Sequence, residues 1–224
     1  MGRFRLTLAL LFLVSLVGWA GPPAEAISCI SVPNVAAITD CTLGGLTFSG
    51  FSTSATAGFS AATVGLGAAS TVTPTDVNLL FQLSTTPGMG PGDVLLRYGV
   101  TAGPGQHLTG IDLTNDAVLG PVTIGEIACR IPFTLGGTCA PADRLASIAA
   151  SGPGSVASAL FSSPVDFVFL HKDIDVGVGG FISDFSNSHT LEGAIAPTPE
   201  PATLLLLGST LAGLSAVIRK RRLR

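Results

Sequence analysis

Val77-Asn78-Leu79-Leu80-Phe81-Gln82-Leu83 places Val77, Leu79, Phe81 and Leu83 on one face of an extended chain, because successive strand side chains point to opposite sides. Val94 to Val100 repeats the pattern with Val94, Leu96, Tyr98 and Val100. The turn-rich Pro87-Gly88-Met89-Gly90-Pro91-Gly92-Asp93 introduces it. Outward from these two, Ile111 to Leu113, Val122 to Ala128, Ser155 to Phe161, Phe167 to Val176 and Phe181 to Phe185 read as further strands, with Gly and Pro in the intervals. Short strands at near-regular spacing predict an all-β body, an antiparallel β-sandwich-like domain over residues 27–196. Pro141 to Ala150 is the competing helix, with Ala142, Leu145, Ala146 and Ala149 on a short apolar stripe. Gly44 to Ser52 echoes Gly179 to Ser186, and the echo reads as two edge strands of similar chemistry rather than a duplication.

Charged residues make up 11% of the 224 and apolar residues 47%. That hydropathy excludes a disordered chain, and so little charge excludes a helical coiled coil. Between Ile27 and Glu200 only Arg97, Arg130, Arg144 and Lys172 are basic, against thirteen acidic residues, a net of −9. No basic surface for nucleic acid is available there. Cys29, Cys41, Cys129 and Cys139 are even in number and, in an exported chain, meet an oxidising compartment. Three connectivities exist on paper. The sequence-local pairs Cys29–Cys41 and Cys129–Cys139 are expected, as structural staples, since C-x11-C and C-x9-C are not zinc-site spacings.

The two chain ends carry addresses. In residues 1–26, Arg3 and Arg5 precede an apolar run from Leu6 to Trp19, and Ala24-Glu25-Ala26 forms an A-x-A cleavage pattern. This predicts a signal peptide removed after Ala26. In residues 197–224, Pro197-Thr198-Pro199-Glu200-Pro201 is stiff and extended. The uncharged stretch Ala202 to Ile218 follows, and then Arg219, Lys220, Arg221, Arg222 and Arg224. The stretch reads as a narrow transmembrane helix, with the basic cluster as a stop-transfer signal in the cytoplasm.

Pro199-Glu200-Pro201, the short apolar stretch and the terminal arginine cluster, in that order, resemble the PEP-CTERM sorting signal, whose tail is also named an ice-binding protein C-terminal domain. The name describes the tail and not ice binding by the body. The resemblance implies processing by an exosortase, a membrane-embedded cysteine protease-transpeptidase, followed by release or transfer to the cell surface. It also implies an association with exopolysaccharide or biofilm production. The body looks like a recurrent type of PEP-CTERM ectodomain through Cys29 to Cys41, Leu46 to Phe51, Asp93 to Val100, Glu126 before Cys129, and His171-Lys172-Asp173-Ile174. That group is β-sandwich-like and has no assigned activity.

The body itself shows little chemistry. There is no G-x-S-x-G nucleophile turn, and His107, His171 and His189 form no H-x-x-x-H or H-x-H pair. All three read as solvated or strand-surface residues. Asp173-Ile174-Asp175 sets two carboxylates on one strand face, roughly 7 Å apart, a spacing that suits a weak extracellular Ca²⁺ site. Counted from Asp173 the segment echoes an EF-hand loop, but it lacks the ligand at position 5 and the glycine at 6. With Trp19 in the leader, the body holds one Tyr and no Trp, which disfavours a sugar-stacking platform. The expectation is a non-enzymatic exported protein without a cofactor. The alternative is a calcium-assisted glycan-binding or adhesion module using Asp173 and Asp175.

Overall fold

The computed structural model describes residues 27–56, 63–84, 91–133 and 137–193. Its strands are β1 (Asp40–Leu43), β2 (Leu46–Ala55), β3 (Thr63–Leu66), β4 (Thr71–Val72), β5 (Asp76–Ser84) and β6 (Gly92–Thr101). They continue with β7 (His107–Leu119), β8 (Val122–Cys129), β9 (Arg144–Ser151), β10 (Val156–Val165), β11 (Phe167–Val176) and β12 (Phe181–Glu192). The first sheet runs β1-β2-β6-β11-β8-β9, and the second β10-β7-β12-β5-β3 with β4 also on β5. All pairings between these strands are antiparallel.

The alternation read from the sequence is what packs the sheets together. From the first sheet Phe48, Leu96, Val100, Ile124, Val168, Leu170, Ile174 and Val176 are buried, and from the second Val77, Leu79, Phe81, Ile111, Leu113 and Phe185. Fully burying one such side chain contributes about 1.5–3 kcal/mol. Gly44 and Gly45, both at positive φ, make the two-residue turn that joins β1 to β2. Gly50, also at positive φ, lies where the β2–β6 register shifts. The extra residue turns Phe51 inward, where it stacks on Tyr98 at 5.5 Å.

Two expectations are corrected. Pro141 to Ala150 is not a helix: a 3-10 turn, Pro141–Asp143, leads into β9. Pairing with β8 puts Ala146 and Ala150 on the buried side, so the small residues that allow a helical stripe serve the two-residue period of a strand. The echoing segments are not edge strands either, since β2 is second in its sheet and β12 lies in the middle of the other. The signal peptide and the sorting tail lie outside the described residues. Among the described residues no helix is long and apolar enough to cross a membrane.

Cys29 is bonded to Cys41 and Cys129 to Cys139, with Cα–Cα distances of 5.0 and 6.3 Å. The first staple draws residues 27–32 along the open side of the sandwich. Ser28 bridges Thr42 of β1 and Val32 bridges Leu66 of β3, so this segment spans an edge of each sheet. Replacing Cys29 and Cys41 together by serine is expected to lower stability by about 2–4 kcal/mol. Denaturant unfolding, compared with that of the parent under non-reducing conditions, measures the loss.

Candidate functional site

Strand parity divides β11 into two chemistries. Phe167, Phe169, His171, Asp173 and Asp175 point away from the core, and Val168, Leu170, Lys172, Ile174 and Val176 point into it. On the outer face, β6 sets Asp93 opposite Asp175, and Arg97 opposite His171. Asp173 and Asp175 are exposed, as the sequence reading requires. Asp93 joins them, and its carboxyl is raised by partial burial and by the negative charges of Asp173 and Asp175. Among the described residues no three His, Cys, Asp or Glu side chains are gathered as a metal-binding group.

Further along the same face, Arg97 Nε donates to His171 Nδ1 at 3.0 Å. Burial and the guanidinium beside it lower the His171 pKa, so the ring is a neutral acceptor. The loop closed by the second disulfide lays Phe133 edge-on against His171, at 5.4 Å between centroids. A shallow pocket of about 220 Å³ opens here between Ser52, Arg97, Phe133, Phe167 and Phe169.

The inner face carries a cluster that the sequence reading left unused. Lys172 of β11 and Glu126 of β8 are cross-strand partners, and their side chains are 0% exposed. Lys172 Nζ lies 2.6 Å from Glu126 Oε2. The contact is an ion pair without an aligned hydrogen bond, and Glu126 Oε1 has no hydrogen-bond partner. Asn187 of β12 reaches in from the opposite sheet. Its Nδ2 donates to Glu126 Oε2 at 3.0 Å and to the Asp112 carbonyl at 2.6 Å. Its Oδ1 accepts from the Tyr98 hydroxyl at 2.5 Å. Two acceptors on one side and a hydroxyl on the other fix which end of the amide is which.

Electrostatics follow from burial away from bulk solvent. Burial raises the Glu126 carboxyl and Lys172 opposes it; burial lowers the Lys172 amine and Glu126 opposes that. Both partners are drawn toward their neutral forms, across a contact short enough to share a proton. Burial and the Glu126 charge push the Tyr98 phenol well above its usual range, so it stays a donor. The Phe185 ring lies 5.7 Å from Nζ and completes the apolar wall.

His189 closes the cluster and overturns its expected place at the surface. It is 0% exposed, edge-on to Phe48 at 5.3 Å, with Nδ1 3.2 Å from the Val77 carbonyl. Burial pushes its pKa down to about 3. The unfolded chain, with an ordinary imidazole, binds a proton below about pH 6.5, whereas the folded chain does not. His189 therefore contributes stability that is complete above pH 6.5 and is lost as pH falls toward 3. The loss is on the order of 1 kcal/mol per pH unit inside that window. Unfolding midpoints measured between pH 7 and 4 are expected to fall, with a shallower slope in His189→Phe. Of the other histidines, His171 is nearly buried and His107 is exposed, paired with Asp166 at 2.5 Å.

Stapled all-β architecture with a polar knot in its core describes the body, and the tail gives the chain its class. Residues 197–222 match the family model described as PEP-CTERM protein-sorting motif. The chain thus carries a PEP-CTERM sorting motif, which implies export to the cell envelope or surface. No curated protein matches the chain. Among solved structures it is similar to TmCBM61, determined in complex with β-1,4-galactotriose, at 11% identity over 64% of this chain and 88% of that one, with a TM-score of 0.33. It is also similar to the enzymatically active domain of tailspike protein 4 of bacteriophage CBA120, at 12% identity over 64% of this chain and 19% of that one, with a TM-score of 0.29. A CBM4 structure is similar at 9% identity over 52% of this chain and 70% of that one, with a TM-score of 0.25.

Proposed function

We propose that this is a non-enzymatic protein of the cell surface or extracellular matrix, delivered by its tail and processed by an exosortase near Pro199-Glu200-Pro201. The match of residues 197–222 to the sorting motif carries this reading. The two disulfides support it, because staples of this kind persist in oxidising compartments outside the cytosol. The signal peptide over residues 1–26 brings the chain across the inner membrane, and the Ala202 to Ile218 helix holds it there until the cut. Exopolysaccharide is the partner expected at the surface. Mass spectrometry of the protein from membrane, surface and medium fractions tests the reading. A species that begins at Ile27, ends near Pro199-Glu200-Pro201 and lies outside the membrane fraction supports it. A membrane species that keeps Arg224 overturns it.

The outer face of the first sheet favours a second reading, an adhesive module assisted by calcium. Its specific observation is Asp93, which strand pairing adds to Asp173 and Asp175 on the face that also bears the Arg97 and Phe169 pocket. Calorimetric titration with Ca²⁺ is expected to give a heat that Asp173→Ala abolishes; a flat titration removes calcium from this reading.

A further inference from the structure

We propose that Lys172 and Asn187 become joined by an intramolecular amide bond that the body forms on itself, with Glu126 transferring the protons and Tyr98 holding the developing oxyanion. The lysine amine and the asparagine amide nitrogen contact the same atom, Glu126 Oε2, at 2.6 and 3.0 Å. They come from interior strands of opposite sheets, and Lys172 and Asn187 are both 0% exposed. Nucleophile, electrophile and proton carrier are thus held together in a site closed to bulk solvent, where a high effective concentration replaces a chance encounter.

Each remaining group faces the atom it needs. A desolvated lysine is a nucleophile in its neutral form, and burial in this core favours that form. The Tyr98 hydroxyl, 2.5 Å from Asn187 Oδ1, polarises the carbonyl and stands where negative charge gathers as the tetrahedral carbon forms. The Asp112 carbonyl holds Nδ2 and so orients the leaving group. The acid-base partner touches both nitrogens between which protons must move.

The step balances without a co-reactant. It starts from a neutral Lys172 amine beside a protonated Glu126, the state reached when the shared proton crosses their contact. The Nζ lone pair adds to Asn187 Cγ, and the carbonyl electrons move onto Oδ1. Glu126 gives its proton to Nδ2 and takes one from Nζ. The carbonyl re-forms, the Cγ–Nδ2 bond breaks and ammonia leaves. One C–N bond is made, one is lost, nothing is oxidised, and Glu126 ends as it began. The unreacted arrangement leaves Nζ without an aligned hydrogen bond in the core, an expensive condition for an amine with several N–H groups. The product amide keeps a single N–H, facing Glu126.

The bond ties β11 of one sheet to β12 of the other, across the interior. It is independent of the sorting reading, since it depends only on the folded body. The test is peptide mapping of the protein purified from its host, digested on the N-terminal side of aspartate. Cleavage at Asp173 and Asp184 separates Lys172 from Asn187 in the sequence. The expected result is a branched peptide joining the two segments, lighter than the sum of the two linear peptides by one ammonia, the leaving group of the step. Glu126→Gln and Asn187→Ala are expected to give two linear peptides instead. Recovery of Lys172 and Asn187 in separate, unmodified peptides from the parent protein overturns the proposal, whatever the variants do. A branched peptide that persists in folded Glu126→Gln overturns the role given to Glu126.

Discussion

Lys172→Met is expected to destabilise the body by about 3–5 kcal/mol, and Lys172→Met combined with Glu126→Leu to recover a large part of that loss. The single change removes one member of a fully buried ion pair and strands the Glu126 carboxylate in the core, where its side chain is 0% exposed. The double change replaces both charges by apolar side chains of similar length, and leaves Asn187 its bonds to Tyr98 and the Asp112 carbonyl. Domains of this kind are stable by only about 5–15 kcal/mol, so the single variant loses a large fraction of the total. Chemical denaturation of parent, both single variants and the double variant closes a thermodynamic cycle. The recovered part measures the cost of the lone charge. The part that stays lost measures the remaining contacts of the two side chains, the hydrogen bond from Asn187 to Glu126 and any link between Lys172 and Asn187 among them. Equal losses in the single and double variants would show that the Glu126 charge is not what the lysine compensates.

The same residues show how far the sequence is legible. Alternation in Val77 to Leu83 and Val94 to Val100 names the buried faces of β5 and β6, because a two-residue period leaves no choice once one face is apolar. That period also carries the signal of the core cluster. Lys172 sits between Leu170 and Ile174, Glu126 between Ile124 and Ala128, and Asn187 with His189 between Phe185 and Leu191, each polar residue on the parity of buried neighbours. Asp173 and Asp175 draw the eye because they are two like charges, yet they stand on the solvated parity where carboxylates are ordinary. What no period conveys is that β11 and β12 face one another. This depends on sheet order, in which β11 lies between β6 and β8 and β12 between β7 and β5. Sequence neighbours such as Glu126 and Cys129 do not reveal that Lys172, 46 positions later, is the partner of Glu126. The competing helix reading of Pro141 to Ala150 fails for a related reason. Alanine and leucine fit either period, and the pairing partner Val122–Cys129 decides between them.

Substituting Pro199, Glu200 and Pro201 together by alanine is expected to move nearly all of the protein from the surface or medium into the membrane fraction. Ala202 to Ile218 is 17 uncharged residues, which as a helix would span about 25 Å at roughly 1.5 Å per residue. That length crosses a hydrocarbon core of about 30 Å only with help from the flanking basic side chains. In the proposed reading Arg219, Lys220, Arg221, Arg222 and Arg224 would keep the far end in the cytoplasm. Insertion of such a helix is effectively irreversible, so release depends on a covalent cut and not on dissociation. The motif proposed to direct the cut is expected from its sequence to be stiff and extended, since each proline fixes its own φ and keeps the residue before it out of the helical region. Alanine removes that constraint and the carboxylate while leaving the apolar stretch and the basic cluster untouched, and the described body lies wholly outside the change. A second variant that stops after Ala196 loses anchor and motif together and is expected in the medium without processing. If the alanine variant also reached the medium, ending near residue 200, processing would not be reading Pro-Glu-Pro and the exosortase assignment would fall. If the parent and the alanine variant both stayed in the membrane with Arg224 intact, the tail would be an anchor and nothing more.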